Sequence, residues 1–294
     1  MSGGSESRGL WWGFVGVVAF SLTLPATRAA VSAIEPFFLA STRSLFAATL
    51  AVCVLLATRP RIPTREEWKG LAGAALGIVF GFPFLMTWAM QEVPSSHGAV
   101  VLAIMPLTTA MAGAWVAHER PSIGFWIVGF LGSAAVVAFA LRHGGGAMTP
   151  GDLALVIAIL LSSYGYAAGA KASATLGGWQ AISWTLVLAL PILLVLSIVL
   201  YQPGLQHAPA SALAGWLYVG LVSQYLGFFA WFRGLAQGGI ARVGQLQLLQ
   251  PFLTIAASAL LLGEVLRAEE VAFAIVVVVL VAIGRRMPVR RRPT

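Results

Sequence analysis

Apolar positions in this chain come in long runs, separated by short polar stretches that carry much of its Pro, Gly and charge. A run of about 20 apolar residues is the length of helix that crosses a bilayer. Ten segments fit: 10–31, 36–57, 70–91, 97–117, 123–142, 152–171, 179–200, 212–233, 241–262 and 269–285. Their connections are mostly short, so the pattern predicts one all-α integral membrane protein with no soluble module.

One stretch of this pattern occurs twice. Trp88–Glu119 and Trp231–Glu264 each contain a Trp, a polar break, an apolar run with Pro inside, and a terminal Glu. Pro106 stands 13 positions before Glu119, and Pro251 stands 13 before Glu264. A spacing shared by two halves reads as duplication. A weaker echo places Ser21 seven positions before Arg28, and Tyr164 seven before Lys171. Five spans is an odd number, so the second copy enters the membrane from the other side. The expectation is therefore ten transmembrane helices as two inverted five-helix repeats around a central cavity, the arrangement that puts a transporter's site near the midplane. Residues 1–9 would be a cytoplasmic N-terminus, 10–145 the first repeat, 146–285 the second, and 286–294 a basic cytoplasmic tail.

Charge supports that topology. With a cytoplasmic N-terminus, 14 of the 18 Lys and Arg fall on the cytoplasmic side, and only Arg28, Arg142 and Arg267 on the other. This is the positive-inside bias. The loop with Arg59, Arg61, Arg65 and Lys69 has a counterpart at 201–209 without Lys or Arg. The net charge of +8 is thus an orientation signal with a contact to anionic lipid; no nucleic acid partner is expected. Only 10% of residues are charged and 59% are hydrophobic, with a mean hydropathy of +0.88, against roughly 25% charged in soluble domains. Arg8, the run Leu10–Leu24 and Val31–Ala33 have the outline of a signal peptide, but the second-half counterpart of this stretch favours a retained first span.

Candidate chemistry is sparse. Cys53 is the only cysteine, which excludes a disulfide framework and a thiolate metal cluster; no metal or cofactor is expected. No GxxxxGK[ST], HExxH or GxSxG motif occurs, so no enzymatic activity is expected. All ten acidic residues lie in loops or near span ends, which counts against an exporter of cationic drugs. Arg43 stands two turns into its span and is read as snorkelling toward the outer surface. Gly73, Gly77 and Gly81 allow close helix approach. Phe80, Phe84 and Trp88 form one stripe beside Pro83. His97 and Arg242, each nine residues before a Pro, stand at the mouths of the Pro-broken helices. Gln245, Gln247 and Gln250 are costly to leave unsatisfied in an apolar helix, so at least one should bond a neighbouring helix and another face a cavity.

Taken together, the paired L-x-x-x-P-like segments (Leu102–Pro106 and Gln247–Pro251), the acidic residue 13 beyond each Pro, and Arg43 after Pro36 resemble the drug/metabolite transporter superfamily. The match is to its ten-helix EamA-type members, and overall to the YddG-type amino acid exporters, across residues 10–285. The resemblance implies a cavity lined by spans one, three, four, six, eight and nine. It also implies export of aromatic or other largely apolar amino acids from the cytoplasm across a bacterial inner membrane, with both termini cytoplasmic. Arg43, Pro106, Glu119, Pro251 and Glu264 carry over as scaffold. From the residues themselves, Phe80, Phe84, Tyr164, Tyr166 and Tyr225 are candidates for an apolar substrate body, and His97, Arg242 and Gln245 for its polar head. Pro25, Pro83, Pro106 and Pro251 are the expected hinges of an alternating-access monomer. A broad drug or metabolite exporter of the same fold stays open as an alternative; a membrane scaffold or intramembrane enzyme is the reading from another class.

Overall fold

Each long apolar run folds as helix, and the interruptions fall where Pro, Gly and capping residues dictate. The computed structural model describes residues 3–143, 148–204, 207–265, 267–285 and 289–291. The expected boundary at 145/146 and most of the tail lie outside them. The elements of the first half are α1 (Gly3–Ser21), α2 (Thr23–Ala30), α3 (Pro36–Thr58), α4 (Arg65–Ala74), a π-helix (Ala75–Gly81), α5 (Phe82–Glu92), α6 (Ser95–Leu102), α7 (Met105–Val116), β1 (Glu119–Pro121) and α8 (Ile123–His143). The second half has α9 (Pro150–Leu176), α10 (Gly178–Val199), α11 (Ala210–Tyr218), a π-helix (Val219–Leu226), α12 (Gly227–Gly238), α13 (Ile240–Gly244), a 3-10 turn (Gln245–Leu249), α14 (Gln250–Leu262), α15 (Ala268–Arg285) and β2 (Val289–Arg291). Eight helical stretches among the described residues are long and apolar enough to cross a membrane. Helices α8 and α15 occupy the remaining two positions that the apolar pattern marks. The protein is a multi-pass membrane protein; among the described residues its regular structure is helical apart from a ribbon in which Glu119–Pro121 pairs antiparallel with Val289–Arg291.

Local sequence explains the ends. Thr64 with Glu67 and Thr149 with Asp152 form capping boxes at the starts of α4 and α9, satisfying amides that a helix start leaves without partners. Pro106 and Pro251 occupy the first turns of α7 and α14, where a missing N–H costs little; Pro83 occupies the first turn of α5, directly after the π-helix. Pro25 sits early in α2, just past a turn at Leu22. All four proline positions proposed as hinges therefore follow an interruption in an otherwise continuous span.

The two halves carry the same irregularities at one offset. Pro106 and Pro251 differ by 251 − 106 = 145 positions. That shift lays the π-helix Ala75–Gly81 on the one at Val219–Leu226, and the break at Ala103–Ile104 on the 3-10 turn Gln245–Leu249. It also matches His118 (φ 54°) with Gly263 (φ 65°). Each of these left-handed residues turns the chain out of a helix just before its Glu. The Pro-to-Glu spacing thus measures one half-helix and its exit turn.

Contacts pair the halves with each other. Helix α1 packs on α12, α3 on α10, α8 on α15, α7 on α13 and α6 on α14, while α9 lies along α4, the first π-helix and α5. Small residues make the last contact close: a Cβ added at Gly77 would sit 2.8 Å from the Gly165 Cα, and one at Gly73 would sit 3.0 Å from the Ala168 Cβ. The glycine spacing in the sequence marks this face.

Candidate functional site

A small cavity of about 20 Å³ lies where elements of both halves converge. Its first-half walls come from Phe20, Thr23 and Arg43, then Ile78 and Phe82 around the first π-helix, then Leu102 and Met105 at the break between α6 and α7. The second half contributes Ser162 and Tyr166 of α9, Ser223 and Gln224 of the second π-helix, Phe228 and Gln250. The spans implied by the family resemblance all contribute, and α3 adds Arg43.

Arg43 is the dominant polar group. It is 1% exposed, so it does not snorkel to the surface as expected from sequence. The reason is a set of polar partners available only in the folded bundle. Its Nη2 donates to Gln224 Oε1 at 3.2 Å and to Ser223 Oγ at 3.4 Å. Nε and Nη1 are buried and find no acceptor among the described residues. A charged group inside a membrane is costly and marks a functional site by default.

The two π-helices meet at this point. Phe82 N–H bonds the Gly77 carbonyl in the wide π pattern, so the next carbonyl, Ile78, would look to residue 83. That residue is Pro83, which has no N–H. Gln224 Nε2 donates to the Ile78 carbonyl instead, at 2.8 Å. With its amide nitrogen anchored there, Gln224 turns its oxygen to Arg43. Ser223 is held in turn by Thr23, with 2.8 Å between hydroxyl oxygens. Irregular backbone at this depth is tolerated where it is buried in protein or lines a cavity, and π segments recur at functional sites.

Rings close one side. Phe20 and Phe228 lie 5.0 Å apart, Phe228 and Tyr166 6.0 Å, and Trp231 packs edge-on to Tyr166 at 5.4 Å. Trp231, the residue that opens the second repeat motif, is fully buried behind the lining.

Of the eight substrate-contact candidates from sequence, Tyr166 alone is among the cavity lining. Phe80 and Phe84 are half-buried; Phe84 stacks on Phe37 at 6.3 Å, and Phe82, between them, faces the cavity instead. Tyr164 turns to Trp115, with ring centres 5.6 Å apart. Tyr225 is buried, shares a hydrogen bond with Ser183 at 2.9 Å and meets Phe229 edge-on. His97 lies 2.6 Å from Asp152 Oδ1, tying the starts of α6 and α9 together. Arg242 is exposed, while Gln245 on the same turn is buried, so the two do not converge on a ligand. Gln247 accepts from Thr109 at 3.2 Å, and Gln250 reaches the cavity, the division of labour expected for that cluster. Thr23, Ser162, Ser223 and Gln224 carried no sequence signal beyond being polar within spans; Arg43 carried one, as an intramembrane charge, but was assigned to scaffold.

Glu264 leaves its own helix and caps another. Its carboxylate accepts the backbone N–H groups of Ser95 and Ser96, each at 3.0 Å, at the start of α6. Burial pushes this carboxyl up, but the donors from Ser96 and Ser95 outweigh it and hold the group below the usual carboxylate range. Glu119 lies in β1, and its side chain is outside the described residues.

A model of the EamA-like transporter family matches residues 7–141 and again 149–284. The chain belongs to this transporter family. The double match agrees with the duplicated irregularities. Among curated relatives it is 44% identical over 274 residues to "Uncharacterized transporter YdeK" of Bacillus subtilis, covering 93% of this chain and 96% of that one. It is 27% identical over 283 residues to the "Probable amino-acid metabolite efflux pump" of Salmonella typhimurium, covering 89% of each. A solved crystal structure superposes with a TM-score of 0.70 at 19% identity, over 95% of this chain and 96% of the other, a likeness of fold.

Proposed function

We propose that this EamA-like transporter is a secondary exporter of small, largely apolar amino acids or their metabolites, working by alternating access as a monomer. The observation that carries the reading is Arg43. A fixed guanidinium with two free nitrogens, in a cavity whose remaining lining is uncharged and includes four aromatic rings, suits a solute with a carboxylate at one end and an apolar body at the other. The name of the Salmonella relative points the same way.

In this reading the chain forms ten spans in two inverted repeats, residues 10–145 and 146–285, in a bacterial inner membrane with both termini cytoplasmic. Hydrogen bonds between helix ends support it, because each joins segments that this topology puts on one side. Gln202 bonds Glu35 N and the Ala33 carbonyl, and Ser95 bonds Glu264; all would be outside. Thr175 bonds Glu67, and β1 pairs with β2; all would be inside. Bending at the breaks beside Pro25, Pro83, Pro106 and Pro251 would open the cavity to each side in turn.

The test is flux in proteoliposomes loaded with each of the twenty amino acids and with their deaminated acids. Saturable flux of at least one apolar member, lost in Arg43→Gln, is the expected result. No saturable flux of any of them overturns the reading.

A further inference from the structure

Resting on the reading that substrate occupies this cavity, we propose that the site selects apolar monocarboxylate anions and discriminates against the zwitterionic amino acids of the same shape. The cavity carries one formal charge, that of Arg43, and none of its lining residues is acidic. A carboxylate docked on Nε and Nη1 would complete the guanidinium's hydrogen bonds and leave the buried site neutral. An amino acid docked the same way adds an ammonium beside a guanidinium, and the pair of cations shares one anion in a low-dielectric setting.

The lining offers that ammonium neutral oxygens but no counter-charge. Carboxylates at helix ends among the described residues are engaged elsewhere: Glu67 with Arg61, Asp152 with His97, Glu264 with Ser95. Of the neutral oxygens in the lining, Gln224 Oε1 already faces Arg43, the Thr23 and Ser223 hydroxyls are bonded to each other, and Ser162, Tyr166 and Gln250 add only uncharged acceptors. An open aromatic face can hold a cation. Here, however, the Tyr166, Phe228 and Phe20 rings pack on one another and on Trp231.

Thermal unfolding of the purified full chain in detergent tests this with ligands sharing a benzyl body: 3-phenylpropionate, phenylalanine, 3-phenylpropanamide and 2-phenylethylamine. Saturable stabilisation by 3-phenylpropionate at a concentration about tenfold lower than by phenylalanine, and none by the amide or amine, is expected from charge matching. Arg43→Lys should weaken the response to the acid and Arg43→Gln abolish it. Should Arg43→Gln fail to fold, the acid-to-amide comparison on the wild type still decides whether charge is read. Phenylalanine stabilising as strongly as the acid overturns the inference and leaves amino acid export standing. The absence of a saturable response to either acid or amino acid, together with no flux of either in proteoliposomes, removes the export reading as well.

Discussion

Pro83 acts five residues upstream of itself. By withholding an N–H from the Ile78 carbonyl it creates the acceptor that fixes Gln224, and Gln224 fixes Arg43. The sequence displays both Pro83 and Arg43 but not their connection, because Gln224 lies in the other half of the chain. Glu264 behaves similarly: its position after Pro251 is visible, its role as a cap for α6 is not. A carboxyl whose folded pKa is lowered adds stability above its unfolded value of about 4.3 and loses it as pH falls through the folded value. Glu264→Gln should therefore cost about 1 kcal/mol near neutral pH. The difference in Tm from wild type should close as pH drops below about 4. A difference independent of pH would mean the carboxylate charge contributes nothing to the cap.

At the scale of elements, departures from α-helix decide what faces the cavity. Phe80, Phe84 and Trp88 do form a stripe by α-helical spacing, but Phe84 is directed to Phe37, and Phe82 is the one in the lining. Periodicity identifies a face without saying which neighbour it meets, and the π-helix before Phe82 alters the spacing just where the reading begins. The glycine spacing was more legible, since close approach is a property of the helix surface itself. Gly77→Val would press on the Leu161 carbonyl and the Gly165 backbone, which cannot yield, and should destabilise by about 1–3 kcal/mol in detergent unfolding. Ala72→Val, on the exposed side of α4, should change stability by about 0.5 kcal/mol or less. Equal effects would show that the approach of the first π-helix to α9 is looser than described. For the breaks, Pro251→Ala should let the 3-10 turn regularise toward α-helix. Turnover in proteoliposomes should fall several-fold while ligand affinity stays within about twofold; a change in affinity alone would argue against a hinge.

The whole molecule sets the scale at which the duplication becomes a site. Ten inserted spans in opposed halves make a specific prediction about sidedness. In a Cys53→Ser background, Ile62→Cys and His207→Cys occupy exposed loops after corresponding helices of the two halves. An impermeant maleimide added outside intact cells should label His207→Cys and spare Ile62→Cys; labelling of both, or the reverse pattern, would rule out the inverted arrangement. Hydropathy, charge bias, the repeated Pro-to-Glu spacing and the family likeness were all present in the sequence, because each is a property of single segments or of their order along the chain. The sequence therefore determined a polytopic, duplicated helical membrane protein of a transporter family. Which residues meet in the cavity was decided only by tertiary structure. Arg43, Ser223 and Gln224 stand some 180 positions apart, and only the packing of α3 on α10 and on the second π-helix brings a buried cation to the acceptors that hold it at the cavity.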